Sequence, residues 1–193
     1  MEQLLITEQQ YDMKTIWLHW LTAGLVVSLW CLGQTIDWFP RGAARVFARS
    51  GHIGIGALLG CLLLYRFWWR LTSGANLPAV GAGILGRLAK SMHVALYICL
   101  LATVALGVAN VWIRGDNLFY LYKVPAFDPG NKVLRATVED YHAYAANLLL
   151  ILAGLHAVAG LVHQYILKDG VLGRMFPAMV DVGFVGGRKG RHR

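Results

Sequence analysis

Charged residues are scarce in this sequence. Asp, Glu, Lys and Arg make up 15% of the 193 residues, whereas 57% are hydrophobic and the mean hydropathy is +0.51. Soluble domains carry about 25% charged residues, so this composition excludes an ordinary soluble domain. The apolar residues form blocks long enough to cross a hydrocarbon core, which takes about 20 helical residues. We therefore expect an integral membrane protein in contact with lipid, and no nucleic acid as a partner.

Cysteine is the second scarcity. The three cysteines stand singly inside apolar blocks and form no CxxC or CxxCH pattern: Cys31, Cys61 and Cys99. A disulfide framework, a zinc knuckle and a covalently attached c-type haem therefore all lack their sequence signal. We interpret these residues as small packing side chains.

A positively charged start is missing as well. The residues before the first apolar block are mainly acidic, with Glu2, Glu8 and Asp12 against a single Lys14. A cleaved signal peptide begins with a positive segment and ends at a small-residue cleavage site, and neither pattern is found here. We expect the first block to be a retained helix.

Four apolar blocks predict an all-α fold, an integral membrane four-helix bundle. The expected helices span residues 15–36, 51–69, 88–113 and 138–167. Thr137 with Asp140 three residues later is typical of a capping box and marks the start of the fourth helix. In this interpretation residues 1–177 form one transmembrane domain, and the basic, glycine-rich tail, 178–193, is expected to be disordered.

Basic residues at the helix ends predict the orientation, because cytoplasmic segments are enriched in Lys and Arg. With the N-terminus inside, eleven basic residues lie on the cytoplasmic side: Lys14, Arg66, Arg70, Arg87, Lys90, Lys168, Arg174, Arg188, Lys189, Arg191 and Arg193. Seven lie on the opposite side: Arg41, Arg45, Arg49, Arg114, Lys123, Lys132 and Arg135. We expect a multi-pass membrane protein with both termini in the cytoplasm. Its outer face is still unusually basic.

Histidine is the polar residue that the apolar blocks do contain. Six of the seven histidines lie in or at the ends of the expected spans: His19, His52, His93, His142, His156 and His163. Ionisable side chains at membrane depth are costly and rare, so they are candidates for function. One of them alone is compatible with a hydrogen-bonded interfacial residue, whereas six in a chain with almost no other intramembrane charge favour a functional role.

The histidine spacing indicates two metal sites at two depths. His142 and His156 are 14 residues apart on the fourth helix, so they share nearly one face and lie about 21 Å apart along the axis. Two stacked haems would require two such imidazoles, each with an opposite ligand at matching depth. We pair His52, at the outer end of the second helix, with His142. His19, near the inner end of the first helix, then pairs with His156.

Ligation by two imidazoles fills both axial positions of a haem iron and suits electron transfer rather than oxygen binding. Two b-type haems are therefore the expected cofactors. A zinc or copper site is the alternative, but tetrahedral zinc needs three or four ligands at one depth and this sequence offers pairs. Glycines of the second helix leave room for a flat macrocycle, although such residues also serve helix packing: Gly51, Gly54, Gly56 and Gly60.

His93 and His163 remain, both near the cytoplasmic ends of their helices. They are candidates for binding a quinone and relaying its protons, because imidazole titrates near neutral pH. Contact with lipid headgroups is the alternative. The sequence also leaves open whether His93 rather than His19 is the partner of His156.

Three stretches resemble the prokaryotic cytochrome b-561 family: Leu18-His19-Trp20-Leu21, the series His142, His156 and His163, and the closing run from Lys168 to Pro177. The resemblance extends over nearly the whole chain, from about Tyr11 to Pro177. It implies four helices that hold two b haems, with the ligand pairing given above.

Within this family, the stretch from Trp112 to Asn117 and the turn Phe39-Pro40-Arg41 resemble a branch that passes electrons from periplasmic superoxide to ubiquinone. The resemblance thus implies an oxidoreductase with superoxide as donor and ubiquinone as acceptor. A basic outer face would attract the superoxide anion, and the candidates for steering it are Arg41, Arg114 and Lys123.

Two other functions stay open at this point. Related cytochromes serve as haem-bearing subunits, which implies a relay between a periplasmic redox protein and the quinone pool. A transporter that relays protons through its histidines is a third interpretation. It predicts inverted repeats with broken helices, and the sequence shows none.

Overall fold

The computed structural model describes residues 10–75, 77 and 83–176. These residues form a bundle of four long helices: α1 Met13–Thr35, α2 Ala43–Thr72, α3 Ile84–Arg114 and α4 Lys132–Val162. Each helix, with its short extensions, is long and apolar enough to cross a membrane, which confirms the expected all-α membrane bundle. The basic tail 178–193 lies outside the described residues, so the expectation of disorder there stays a prediction.

Shorter elements connect and extend the helices. A 3₁₀ turn, Ile36–Trp38, follows α1, and a π-helical turn, His163–Leu167, extends α4. Between α3 and α4 lies a small antiparallel hairpin of β1, Asn117–Leu118, and β2, Tyr122–Lys123. A second 3₁₀ turn, Leu172–Arg174, follows the last helix.

All four helices begin earlier than the sequence suggested, and α2 and α4 do so by the largest margins. Helix α2 starts at Ala43 rather than at residue 51, because its first turns are amphipathic and project beyond the apolar block. Helix α4 starts at Lys132, where the side chain of Asn131 accepts a hydrogen bond from the Leu134 amide at 2.9 Å. The capping box expected at Thr137 is therefore wrong, because Thr137 already lies inside the helix.

The core is a thin apolar layer in the middle of the bundle. It contains Leu29, Leu59, Leu63, Cys99, Leu100 and Leu149, with one or two residues from each helix. Many other large apolar side chains point outward, as expected where the surrounding solvent is lipid. Helix α3 packs most closely against α4, and α1 packs against α2.

The hairpin between α3 and α4 is fastened to the N-terminal end of α2, which we call the outer end of the bundle. The buried Ser50 hydroxyl donates to the Asn117 carbonyl at 3.2 Å and accepts from the Phe119 amide at 2.9 Å. Phe119 and Tyr120 have φ values of 54° and 60°, which cost non-glycine residues about 1–2 kcal/mol each. Phe47 packs against both aromatic rings and supports this turn.

Asp12 organises the opposite end of the bundle. Its carboxylate caps α1 by accepting from the Thr15 amide at 2.9 Å and the Thr15 hydroxyl at 2.6 Å. It also accepts from Trp69 Nε1 and from the Ala75 amide, both at 3.2 Å. Burial acts to raise the pKa of Asp12, but these hydrogen bonds outweigh it and lower the pKa from 3.8 to about 2.

Replacing Asp12 with alanine is expected to destabilise the chain by about 1–2 kcal/mol, because α1 loses its cap and Trp69 loses an acceptor. The measurement is the melting temperature in detergent, and Asp12→Asn, which keeps a capping oxygen, is the control with a smaller loss. The pKa of Asp12 is lowered on folding, so its stabilisation is present above about pH 4 and is lost as the pH falls towards 2. Equal melting temperatures for wild type and Asp12→Ala would contradict this role.

Candidate haem sites and outer face

His52 of α2 and His142 of α4 face each other at the outer end of the bundle. Their ring centroids are 6.2 Å apart and their planes are inclined at 85°. A metal–imidazole bond is about 2 Å long and each nitrogen lies about 1 Å from its ring centre, so two rings that share an iron are about 6 Å apart. The spacing of this pair therefore fits bis-imidazole ligation.

The hydrogen bonding of these two rings also fits a ligand role. His142 Nδ1 lies 3.0 Å from the Thr103 carbonyl oxygen, which can only accept, so Nδ1 carries the proton and Nε2 keeps its lone pair. Metal-bound histidines are oriented in this way by the second ring nitrogen. His52 Nδ1 is buried and makes no hydrogen bond of good geometry, although the Leu29 backbone lies within reach of this ring.

Glycines leave space around both rings. A Cβ atom on Gly107 would lie 3.1 Å from His142 Cε1, and a Cβ on Gly33 would lie 3.4 Å from His52 Cε1. Of the glycines named from the sequence, three would meet no atom within 4 Å: Gly51, Gly54 and Gly56. The fourth, Gly60, instead packs against Val104, where a Cβ would lie 3.3 Å from the side chain.

The inner layer brings together three histidines. The ring centroid of His156 is 6.3 Å from that of His19 and 5.2 Å from that of His93. The first distance fits two ligands of one iron, whereas the second is about 1 Å too short. The geometry thus favours His19 as the partner of His156, as expected from helix depth, and places His93 beside the pair.

An apolar layer separates the two histidine layers. Leu149 lies seven residues from both His142 and His156, and it belongs to the buried core. Within the described part of the chain, no group of three or more His, Cys, Asp or Glu side chains could hold a metal ion. The alternative of a tetrahedral zinc site therefore lacks its ligand set there.

The two quinone candidates do not share a contact. His93 packs against His156, whereas His163, in the π-helical turn after α4, pairs with Asp169 through Nδ1 and Oδ2 at 2.5 Å. Asp169 also accepts from the Val171 amide, which fixes the segment that follows the helix. The structure therefore describes a His–Asp pair at the end of α4 that the sequence did not suggest.

The three steering candidates of the outer face differ in exposure, in ion pairing and in their position relative to a cavity. Arg41 and Lys123 are exposed and form no ion pair among the described residues. The Arg114 side chain is only 10% exposed and is paired with Glu139 at 2.5 Å, so its charge is largely neutralised. Arg114 and Lys123 line one cavity of about 490 Å³, and Arg41 is not among its lining residues.

Asp116 is the buried acid of this face. It pairs with Arg49 at 3.8 Å, beside the hairpin. Burial raises the pKa of Asp116 above its usual range, although the nearby guanidinium groups of Arg114, Arg49 and Arg135 act in the opposite direction. Three of the seven basic residues of this face are thus in ion pairs, and the other four are exposed and form none among the described residues: Arg41, Lys123, Lys132 and Arg135.

Four membrane-spanning helices with facing histidines at two depths define a membrane b-type cytochrome, a class that transfers electrons. The sequence profile of the family described as prokaryotic cytochrome b561 matches residues 10–178. The chain belongs to the prokaryotic cytochrome b561 family, which confirms the resemblance found in its sequence. The family implies haem b as cofactor, an oxidoreductase type of chemistry and a multi-pass location in the prokaryotic inner membrane.

Individual relatives cover almost the same length. The chain is 30% identical over 172 residues to cytochrome b561 homolog 1 of Escherichia coli (strain K12), which spans 87% of this chain and 97% of that protein. It is 29% identical over 172 residues to the probable superoxide oxidase CybB of Yersinia pestis, spanning 88% and 97%. It is 30% identical over 173 residues to cytochrome b562 of Cereibacter sphaeroides, spanning 87% and 96%.

Proposed function

We propose that this chain is a membrane di-haem b cytochrome that takes electrons from periplasmic superoxide and delivers them to ubiquinone. The observation that supports this proposal is the pair of facing imidazoles at each of two depths, His52 with His142 and His19 with His156. Two b haems bound there would supply one-electron transfer between the outer and inner ends of the bundle. Both termini are then cytoplasmic, because the side of the bundle that carries them has more basic residues than the hairpin side.

The chain's own residues prepare the two sites. The Thr103 carbonyl orients His142, and Gly33 and Gly107 leave each outer ring its space. The core leucines between the layers exclude water from the path between the two ends. The outer layer, His52 with His142, would receive the electrons, and the inner layer, His19 with His156, would pass them on.

The outer charges support an anionic donor. Lys123 lies on the rim of a cavity that also contains Lys132 and Arg135. Exposed cations around a cleft raise the encounter rate of an anion, and this effect weakens with salt. Superoxide is the anion suggested by the name of the Yersinia pestis relative.

The inner end supports quinone chemistry. His163 can exchange a proton with Asp169, to which it is already hydrogen-bonded, and both lie at the end of the chain's last span. A quinone reduced by two electrons takes up two protons, so a histidine with a carboxylate partner beside the site is a suitable proton donor. His93 then lines the same end without serving as a ligand.

Stopped-flow mixing with a superoxide pulse tests the donor. We expect haem reduction well above the aerobic background, slowed by added salt. Lys123→Glu should lower the second-order rate by up to about tenfold at low salt, because it reverses a charge at the entry face. The matched control is Lys90→Glu, which makes the same charge change near the N-terminal end of α3, away from the hairpin. It should leave the rate unchanged.

Two results would contradict this assignment. A wild-type rate no higher than the background rejects superoxide as the donor. Equal losses in Lys123→Glu and Lys90→Glu reject the outer face as the entry.

The cavity of about 490 Å³ is larger than a diatomic anion needs, which favours docking of a redox protein as the second candidate. Co-purification of a stoichiometric soluble partner would support that function.

A further inference from the structure

Arg66 occupies the inner histidine layer from the side of α2. It follows His52 by 14 residues, the same spacing as the two histidines of α4, so it faces nearly the same side about 21 Å further in. Leu59, a core residue, lies midway between them. Helix α2 thus contributes a histidine to the outer layer and an arginine to the inner layer.

This cation has no anionic partner among the described residues. None of the ion pairs there includes Arg66, and its guanidinium instead contacts His19 and lies over the ring of Tyr97, 5.5 Å from the centroid. The side chain is only partly exposed and lies within a membrane span. Because an uncompensated charge at membrane depth is costly, such a residue indicates a charged ligand.

The contact with His19 indicates that the Arg66 guanidinium would be freed if His19 bound iron. Arg66 Nη2 lies 3.2 Å from His19 Nδ1, and a guanidinium only donates, so Nδ1 must accept. A neutral imidazole that accepts at Nδ1 carries its proton on Nε2. Iron ligation through Nε2 requires the opposite tautomer, with the proton on Nδ1. Use of His19 as a ligand therefore releases the guanidinium to a new acceptor.

We propose that Arg66 forms an ion pair with a propionate of the inner haem. The inference rests on the proposed function, because it takes His19 and His156 as the ligands of that haem. The propionates are the carboxylates of a b haem, and a guanidinium binds a carboxylate through two parallel hydrogen bonds. A cation at this position favours the reduced haem, which carries one more negative charge. Arg66 is thus a positioning residue that raises the reduction potential of one haem and leaves the other unchanged.

The test is a redox titration of the visible spectrum of the full-length holoprotein in detergent. In Arg66→Gln, one midpoint potential should fall by at least about 59 mV, a tenfold shift in a one-electron equilibrium, and the other should stay. Arg66→Lys keeps the charge and should retain most of the potential. Arg70→Gln is the matched control, because Arg70 lies one turn further along α2 and donates to the Ala75 carbonyl at 2.8 Å.

Each outcome decides the proposal. Two haems with unchanged potentials in Arg66→Gln overturn it, and so do equal shifts in Arg66→Gln and Arg66→Lys. Loss of one haem in Arg66→Gln but not in Arg66→Lys supports it. Loss of one haem in both Arg66→Gln and Arg66→Lys overturns it, because a lysine also pairs with a carboxylate. Failure of the haem assignment in the proposed function looks different, because the wild-type chain would then hold fewer than two haems before any substitution.

Discussion

Replacing His142 with alanine is expected to lower the haem content of the purified chain from two b haems to one. His142 faces His52 at 6.2 Å, and its Nδ1 is already engaged with the Thr103 carbonyl, so its Nε2 would be left to hold a haem iron. Without it the outer site keeps a single imidazole, which would hold the haem more weakly than two. A pyridine haemochrome assay against protein concentration measures the loss. His52→Ala should have the same effect.

The inner pair offers a matched control for this experiment. His19→Ala should also cost one haem, whereas His93→Ala should retain two, because only His19 stands at the ligand distance from His156. Retention of both haems in His142→Ala would contradict the outer pairing. Loss in His93→Ala with retention in His19→Ala would exchange the inner ligands and leave the outer site untouched.

Gly107→Leu is expected to displace the outer haem almost completely. Even a Cβ atom at this position would lie 3.1 Å from His142 Cε1 and 3.6 Å from His142 Nδ1, so a leucine must push the ring away from its partner. The hydrogen bond to the Thr103 carbonyl would be lost with it. Gly107→Ala requires only a shift of a few tenths of an ångström and should give an intermediate haem content.

The control for this glycine lies on α4. A Cβ on Gly154 would meet no atom within 4 Å, so Gly154→Leu tests a bulky substitution in a membrane helix without crowding a histidine. It should bind the full complement of haem. The measurements are haem content and the reduced-minus-oxidised spectrum, which reports changed ligation. A Gly107→Leu chain with two haems and a wild-type spectrum would show that His142 is not a ligand.

The membrane class and the histidine depths could be predicted from the sequence because both depend on spacing along single helices. Apolar blocks of sufficient length require spans, and 14 residues on an α-helix return to one face about 21 Å further on. The same spacing separates His52 from Arg66, so helix geometry also places this arginine about 21 Å from the outer histidine, although its charge by itself indicates only orientation.

The remaining parts of the sites depend on contacts between distant segments. Gly107 matters only because α3 brings it against the His142 ring, and Arg114 loses its free charge only because Glu139 lies beside it. Helix α4 begins at Lys132 because the Asn131 side chain caps it there, so Thr137 lies inside the helix. Asp169 likewise meets His163 only because the chain turns back after the π-helical turn.

The sequence by itself determined the number of spans and the two depths at which imidazoles occur, since helix geometry converts residue spacing directly into distance. The tertiary structure decided which histidines face each other, which glycines leave them room and which outer cations stay unpaired. Those relations arise from packing of the four helices in space, and the linear order of residues does not encode their distances in any simple period.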